Sequence, residues 1–591
     1  MAGSSIAILP FVNLSQGSEA EYFGDGLAEE IINALTRIDG LQVTARTSSF
    51  AFKGQAMDIR EIGRQLDVAN VLEGSIRMVG SRVRITAQLI NVEDGYHLWS
   101  ESFDRLIDDI FAVQDEISLL LADKIREYSA HFEIADQLVP VPNVSTAVYQ
   151  QFLRGRHLVQ NFNIVDVQRG IDILEKLTQE HPQFGQPFLT LTFAYTFMGG
   201  FGVMPSKQAF DLARQYLDQV PAAERSTPEY LLRLAGLSYW CDWEISEAFE
   251  YLQRALQQQP GNAEVHLWMS VCLATMGQFR TALQHIDNAL KLDPFSPLHH
   301  DFKGMIYYFA EEYELAIDSF RRCLNYDPNF HMSHINLAAA ELMRGNLEAG
   351  LKKFQNLPPS GAHDMSILGG EILAKAVMGH TEEVQEGIAR LEAARDAPVA
   401  DRVHFFLILI YTTLGDYERA LDFLEEAVRR RMSILIALDI EPFLKNLRQH
   451  PRFRRIMQVV KKEDSHDSLQ DNPKPSAVSK ADMQQLEQLM QEQAPYLDPQ
   501  LSLRKLATLA GHHPNYLSRL INECTGHNFA EYTNAYRLKA FAQKAKDPAA
   551  RKLTLLAVAY ECGFNSKTVF NTFCKKMTGQ TPSAYWKSSI A

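Results

Sequence analysis

Residues 497–591 carry the side chains whose types and spacing could do specific chemistry. Ala507, Gly511 and Leu517 have helix-turn-helix spacing. In that motif a small residue lets two helices cross, a glycine makes the turn and an apolar residue packs the second helix on the first. Arg, Asn, Ser and Thr on a second helix of this kind can bond to base edges, and Lys can bind phosphate. The expected chemistry is noncovalent recognition of double-stranded DNA.

The same pattern recurs further along the chain. Ala559 and Gly563 repeat the spacing, and Phe570 follows one residue later than strict register. The two turn glycines are 52 residues apart, and the intervening stretch Phe529–Lys546 predicts a long connecting helix. One such pattern often arises by chance, whereas two in tandem in one basic region do not. The spacing therefore predicts two DNA-reading helices.

Charge is distributed unevenly along the 591 residues. The formal net charge of −14 argues, taken alone, against nucleic acid as a partner. Residues 497–591, however, hold thirteen Lys and Arg against five Asp and Glu, a net of +8, so the remainder carries −22. An acidic body with a basic end points to nucleic acid or an anionic surface as the partner of that end.

Residues 482–591 resemble the AraC/XylS DNA-binding domain. The matches in the first half are Leu517-Ser518-Arg519-Leu520-Ile521, Gly526, Phe529, Tyr532, Arg537 and Ala540. Those in the second half are Gly563-Phe564-Asn565-Ser566-Lys567, Phe570-Asn571, Lys575-Lys576, Thr578-Gly579, Thr581-Pro582-Ser583 and Tyr585. The resemblance implies an all-α domain whose two recognition helices read adjacent major grooves one turn apart.

This resemblance also assigns roles to individual side chains. The implied base-edge contacts are Asn515, Ser518 and Arg519 in the first unit and Lys567, Thr568, Asn571 and Thr572 in the second. The implied phosphate contacts are Lys575, Lys576 and Lys552. Thr572 stands where the family often has arginine, so the second helix is not expected to read guanine strongly. A solvated helix charge is the alternative interpretation of Arg519, and Phe564, Phe570, Tyr532 and Tyr585 are expected in the core.

Residues 5–125 show an α/β pattern. The predicted elements are strands at Ser5–Phe11 and Leu41–Ala45, helices at Asp25–Arg37, Asp58–Leu66 and Ile107–Ile125, and a hairpin of Asn70–Val79 with Arg82–Val92. Val83, Ile85, Ala87 and Leu89 share one face of the hairpin's second strand.

This N-terminal segment resembles the TolB-like (FlgO-like) domain of bacterial signalling proteins. The resemblance implies a non-catalytic sensing or docking module. It rests on Ile8-Leu9-Pro10-Phe11, Asn13-Leu14, Tyr22-Phe23, Asp25-Gly26-Leu27, Arg46-Thr47-Ser48-Ser49-Phe50, Leu72-Glu73-Gly74-Ser75, Arg84-Ile85-Thr86-Ala87-Gln88-Leu89 and His97-Leu98-Trp99.

Residues 146–460 contain an internal repeat of 34 residues. This period separates Pro260, Pro294 and Pro328. It also separates Ala248, Ala282 and Ala316. The pattern is that of tetratricopeptide helix pairs, with further units at Gln151–Pro182 and Arg402–Arg429 and fainter ones around Asn336–Leu351 and Glu371–Arg390. Such solenoids present a concave face that binds peptides or partner domains, and spacing alone is the other interpretation of the array.

The sequence thus predicts a multidomain chain. Its parts are a TolB-like α/β domain (1–135), an all-α repeat solenoid (146–460), a flexible linker (461–481) and an all-α DNA-binding domain (482–591). No apolar run reaches 18 residues, and the first residues do not form a signal peptide, so a cytoplasmic location without membrane contact is expected. The six cysteines lack metal-ligand spacing, and no metal site or other cofactor is expected.

Two functions fit these features. The first is a sequence-specific transcriptional regulator that binds DNA through its basic end and a protein partner, a second copy or an unknown small-molecule or peptide signal through the rest. The alternative is a tetratricopeptide scaffold or adaptor that docks to a partner complex. An enzyme is not expected, because the sequence contains no GxxxxGK[ST], GxSxG or HExxH motif. The opposite charges of the two parts also allow the acidic body to mask the basic end until a signal arrives.

Overall fold

A computed structural model gives the fold of the chain. It describes residues 5–15, 19–38, 40–80, 82–106, 116–121, 124, 144–160, 164–357, 364–397, 400–461, 480–499, 501, 503–510, 517, 520–521, 524–525, 529–547, 553–564 and 566–590. The chain divides into two compact units, Met1–His466 and Asp467–Ala591. Each unit is treated separately below.

The N-terminal unit begins with a mixed β-sheet and three helices. Its strands are β1 (Ser5–Ile8), β2 (Val12–Asn13), β3 (Gln42–Val43), β4 (Asn70–Val79), β5 (Arg82–Asn91) and β6 (His97–Leu106). The helices are α1 (Glu19–Leu35), α2 (Arg46–Phe50) and α3 (Ile59–Gln65). The strand order is β3-β1-β4-β5-β6, and β2 pairs with β4. Strand β1 is parallel to β3 and β4, whereas β4, β5 and β6 are antiparallel.

The sheet confirms the predicted hairpin and its buried face. Val83, Ile85, Ala87 and Leu89 are each no more than 1% exposed. The predicted first strand is shorter than expected, since β1 ends at Ile8 and Pro10, which has no backbone N–H, follows. Strand β6 was not predicted. Of the predicted helix Ile107–Ile125, residues 116–121 and 124 are described and helical, and the rest lies outside the described residues.

Within the described residues from 146 to 429, sixteen α-helices form eight consecutive pairs. They are α4 (Thr146–Gln160), α5 (Ile164–Glu180), α6 (Gly185–Gly200), α7 (Ser206–Asp218), α8 (Pro228–Trp240), α9 (Ile245–Gln258), α10 (Ala263–Thr275), α11 (Phe279–Leu292), α12 (Pro297–Phe309), α13 (Tyr313–Tyr326), α14 (His331–Met343), α15 (Leu347–Gln355), α16 (Asp364–Met378), α17 (Thr381–Ala393), α18 (Ala400–Thr413) and α19 (Tyr417–Arg429). The described part of the chain thus confirms the repeat units, and the pair α6–α7 was not predicted.

The 34-residue period has a direct structural cause. Helices α9, α11 and α13 begin 34 residues apart, and their alanines Ala248, Ala282 and Ala316 are fully buried where two helices meet. Gly304 shows how close the helices come, because a Cβ there would lie 2.4 Å from the Phe320 ring. Small residues at fixed positions therefore set the spacing between the helices of a pair.

Residues 432–449 pack against the first helices of these pairs. Ser433 donates a hydrogen bond to the Gly200 carbonyl (3.2 Å) at the end of α6, and Ile436 packs with Leu231 of α8. Further on, the Tyr308 hydroxyl of α12 donates to Glu441 (2.7 Å). We call the surface formed by α6, α8, α10, α12, α14, α16 and α18 the first-helix surface. Because the chain itself covers part of it, this surface is less open than the sequence suggested.

The sheet region joins the repeats through hydrogen bonds at equivalent repeat positions. Gln259 and Asp293 lie one 34-residue period apart; Gln259 donates to Thr36 (3.1 Å), and Asp293 accepts from the Ser48 backbone N–H (2.9 Å). The Ala45 N–H also donates to the Leu292 carbonyl (2.7 Å). The motif at residues 46–50 that marked the N-terminal resemblance therefore contributes to the junction with the repeats.

Helix α20 (Pro451–Lys461) ends the described part of the N-terminal unit. The predicted linker 461–481 includes its last residue, Lys461, and the first residues of the next helix; 462–479 lie outside the described residues. In the part of the C-terminal unit that the structure describes, the α-helices are α21 (Lys480–Glu492), α22 (Leu503–Ala510), α23 (Phe529–Lys544), α24 (Leu555–Glu561), α25 (Lys567–Thr578) and α26 (Pro582–Ile590). Among the described residues, no helix combines the length and apolarity needed to cross a bilayer.

Candidate DNA-binding surface

Capping residues stabilise both ends of helix α25. The Ser566 side chain accepts a hydrogen bond from the Val569 N–H at the N-terminus, as a capping serine does. At the C-terminus Gly579 adopts a left-handed conformation (φ +70°), and its N–H donates to the Lys575 carbonyl (3.0 Å). Phe570, Phe573 and Cys574 form the buried side.

The other side of α25 brings the predicted second-unit residues together. Lys567, Asn571, Thr572, Lys575 and Lys576 are all exposed there. Thr568 lies in the same helix, but its side chain is outside the described part of the structure. Amide, hydroxyl and ammonium groups on one helix face can donate and accept hydrogen bonds along a DNA groove. The sequence did not single out Val569, which is 41% exposed and whose apolar side chain could touch a thymine methyl group.

The turn before α25 requires glycine. Gly563 has φ +89°, and a Cβ at this position would lie 2.2 Å from the Tyr496 carbonyl oxygen. The preceding helix α24 is capped by Thr554, whose hydroxyl accepts from the Ala557 N–H (3.2 Å). The structure therefore places a helix, a glycine turn and a second helix where the second pattern predicted them.

Helix α23 connects the two halves of the unit, as the sequence predicted. In the second half, the ring of Phe541 packs against those of Phe570 and Trp586, with centroid distances of 4.8 and 4.9 Å. In the first half, Tyr532 belongs to a separate hydrophobic core that includes Leu517. One rigid helix thus contributes to both cores and holds the two halves together.

Arg537 of α23 acts within the protein, a role that the sequence did not specify. Its guanidinium donates to the carbonyls of Tyr496 (2.8 Å) and Asp498 (2.9 Å) and to the Asn534 side chain (3.2 Å). Burial lowers the pKa of this guanidinium from its ordinary value. These bonds fix residues 496–498 against α23 and beside Gly563.

The first unit is described only in part. Leu517, Leu520 and Ile521 are fully buried and have the i, i+3, i+4 spacing of one helix face. Asn515, Ser518 and Arg519, together with Gly511 and Lys552, lie outside the described residues. Their assigned roles therefore stay predictions.

Ion pairs separate the lysines of α25 into two kinds. Lys576 forms an ion pair with Glu531 at the start of α23 (2.5 Å). Lys567 and Lys575 form no ion pair with any described residue. Their ammonium groups can therefore bind DNA without first breaking an ion pair. A pair between Lys544 and Glu561 ties α23 to α24.

Family models match three regions of the chain. A model described as a helix-turn-helix domain matches residues 506–588, and one described as the second domain of HilA/YgeH-like transcriptional regulators matches residues 2–119. Tetratricopeptide repeat models match residues 244–306, 301–330 and 381–433. The chain carries an AraC-type helix-turn-helix domain, a HilA-like regulator domain and tetratricopeptide repeats. The resemblance to TolB-like domains stays a prediction.

Curated relatives match parts of the chain. Putative adenylate cyclase 3 of Rhizobium meliloti (strain 1021) is 37% identical over 241 residues, which is 40% of each protein. The transcriptional regulator HilA of Salmonella typhimurium is 25% identical over 297 residues, 49% of this chain and 51% of that protein. The chain therefore spans about half the length, or less, of these two relatives.

Among solved structures, a human IFIT1 dimer with PPP-AAAA is similar at 19% identity. The alignment covers 48% of this chain and 72% of that one with a TM-score of 0.35.

Proposed function

We propose that the chain is a sequence-specific DNA-binding transcriptional regulator of the AraC/XylS type. The observation that carries this proposal is the exposed polar face of α25, which lies in a region that matches a helix-turn-helix domain. The HilA-like match at residues 2–119 supports a regulatory role for the N-terminal unit. The proposal includes a cytoplasmic location in a bacterium, because the bacterial chromosome lies in the cytoplasm.

The proposal assigns base contacts and phosphate contacts to different residues. The base-edge residues are Asn515, Ser518, Arg519, Lys567, Thr568, Asn571 and Thr572. The phosphate contacts are Lys575 and Lys576, of which Lys575 is the more available, because Lys576 is paired with Glu531. Replacing Arg519 by alanine is expected to weaken specific binding by about 1–3 kcal/mol and to relax the preference at one base position.

The experiment that tests the proposal is a quantitative footprint of the full chain and its Asn571→Ala variant on a site selected from random DNA. Loss of a bidentate amide contact should weaken specific binding by about 1–3 kcal/mol and leave non-specific binding unchanged. The control Gln543→Ala removes an exposed amide from α23 of the same unit. Equal affinities of the two variants would contradict the role of α25.

The repeats and the sheet region supply the second part of the proposal. We assign to them a protein partner, a second copy of the chain or a small-molecule or peptide signal, because tetratricopeptide repeats are interaction modules. If the full chain binds DNA only weakly and without preference, the alternative of a repeat scaffold docking to a partner complex takes precedence.

We further propose that the chain has no catalytic activity. The match to the putative adenylate cyclase is longer than the whole C-terminal unit, so it includes residues of the N-terminal unit, where the sheet and repeats lie. Among the described residues, no group of three or more His, Cys, Asp and Glu is placed to hold a metal ion. Incubation with ATP and Mg²⁺ should yield no cyclic AMP, and its formation would overturn this part of the proposal.

A further inference from the structure

A cavity of about 60 Å³ lies between the first-helix surface and residues 432–449. At about 10–15 Å³ for each water-sized group, it has room for about four to six heavy atoms. Its wall is mainly apolar and aromatic. The lining side chains used below are Met305, Ala339, Phe405, Phe406 and Phe443, with Tyr308, Asn336 and Glu441 as the polar members.

Glu441 is a buried carboxylate of which only one oxygen accepts hydrogen bonds from described residues. It is 5% exposed, and its Oε1 accepts from the Tyr308 hydroxyl (2.7 Å) and the Phe443 N–H (3.3 Å). No described residue donates a hydrogen bond to Oε2 or forms an ion pair with this carboxylate. The guanidinium of Arg448 instead donates to the backbone carbonyls of Asp439 and Glu441 (3.0 Å each).

The polar atoms of the cavity wall that still lack a hydrogen-bond partner are acceptors. The Tyr308 hydrogen is already donated to Glu441, and the Asn336 amide nitrogen donates to both oxygens of the Asp301 carboxylate (3.2 and 3.4 Å). That leaves a carboxylate oxygen of Glu441 and the Asn336 amide oxygen without donors among the described residues. Burial raises the pKa of Glu441 to about 7, and the hydrogen bonds from Tyr308 and Phe443 and the charge of Arg448 offset only part of this shift.

We propose that this cavity binds the ammonium end of a small aliphatic primary amine. The ammonium would donate to Glu441, since charge-assisted hydrogen bonds are strong, and the alkyl chain would lie among the aromatic side chains. Aromatic rings also attract cations. A carboxylic acid anion would be repelled by Glu441, and a hydrocarbon would leave that carboxylate unpaired. The binding site goes beyond the proposed regulatory function and does not depend on it.

Isothermal titration of the full chain at pH 7.5 tests the ligand class. The probe is n-butylamine, with n-butanol and butyrate as neutral and anionic ligands of the same size. Butylamine should bind at least tenfold more tightly than either. Equal binding of the three compounds, or no binding of the amine, overturns the proposal.

Two variants with a matched control locate the site. Glu441→Gln keeps the size of the side chain and should weaken butylamine binding at least tenfold, whereas Ala339→Leu fills the cavity and should abolish it. The control Glu382→Gln removes a carboxylate from the exposed surface of α17. Ala339→Leu keeps the test decisive if Glu441→Gln fails to fold. Amine binding that survives in either folded cavity variant places the amine elsewhere and overturns the proposal.

Discussion

Single side chains of α25 differ in how they can meet DNA. Lys575 is exposed and has no ion pair within the described residues, whereas Lys576 is held by Glu531. An unpaired ammonium can bind phosphate at full strength, but a paired one must exchange its partner. The structure thereby ranks two residues that looked equivalent in the sequence.

Lys575→Ala is expected to weaken binding to all DNA sequences alike and to reduce the slope of log K against log salt by about 1. The measurement is a salt titration of DNA affinity for the full chain. Lys587→Ala, which removes an exposed lysine from α26 of the same unit, serves as the control. A changed base preference in Lys575→Ala would mean that Lys575 reads bases.

Glu441 predicts a pH dependence of stability. Burial raises its pKa from 4.5 to about 7, so the folded state holds a proton that the unfolded state has lost between these pH values. Stability therefore falls as pH rises through this window. The free energy of unfolding of the wild type minus that of Glu441→Gln should decrease by up to about 3 kcal/mol from pH 4 to pH 8.

Chemical denaturation at several pH values measures this difference. The neighbouring titratable groups, Tyr308, Tyr313 and Arg448, are present in both proteins. A difference that stays constant or rises with pH would show that Glu441 is not a buried, desolvated carboxylate.

At the scale of elements, the turn between α24 and α25 depends on one glycine. Gly563→Ala should cost about 2–4 kcal/mol and abolish specific DNA binding, because φ is positive and the new Cβ would overlap the Tyr496 carbonyl. Gly579→Ala is the matched control, since its φ is also positive but no atom lies within 4 Å of its Cβ; about 1 kcal/mol is expected there. Thermal unfolding that ranks the two variants equally would contradict the close approach.

The elements that follow a period were predictable, and those fixed by distant contacts were not. The 34-residue recurrence of Ala248 and its equivalents located the helix pairs, because each repeat buries a small residue at the same helix contact. Alternation in β5 located its buried face. Strand β6 lacks such alternation, since Phe103 is its one buried residue. Residues 432–449 have no repeat, and only long-range contacts hold them against the first-helix surface.

The candidate site was predictable to a similar degree. The resemblance assigned Asn571, Thr572 and Lys575 to DNA contacts, and the structure places all three on the exposed side of α25. The contacts themselves stay predictions. The ion pair of Lys576 and the hydrogen bonds of Arg537 join residues far apart in sequence, so residue type could not reveal them. Asn515, Ser518 and Arg519 stay predictions.

At the scale of the whole molecule, the sheet region and the repeats share one compact unit. The Ser48 hydroxyl donates to Asp293 (2.5 Å) and accepts from the Phe295 N–H (2.8 Å), and burial raises the pKa of Asp293 to about 6. Ser48→Ala should lower the free energy of unfolding by about 1–3 kcal/mol, because it leaves buried polar groups unpaired. Hydrogen exchange should increase at residues 40–50 and 290–296 together. An increase confined to one side would show that the two regions are independent.

The distribution of charge is also a property of the whole chain. The acidic body carries −22 and the basic end +8, and the match to a helix-turn-helix domain lies within the basic end. Under the proposed function, non-specific attraction to DNA would come from this basic end, and specificity from the predicted reading helices within it.

Selection of binding sites from random DNA by the full chain at about 0.15 M salt tests the central claim most directly. The account predicts an enriched motif with two half-sites about 10 base pairs apart, one of which loses its preference at one base position in Asn571→Ala. Binding that enriches no motif, or a motif that Asn571→Ala leaves unchanged, would contradict it.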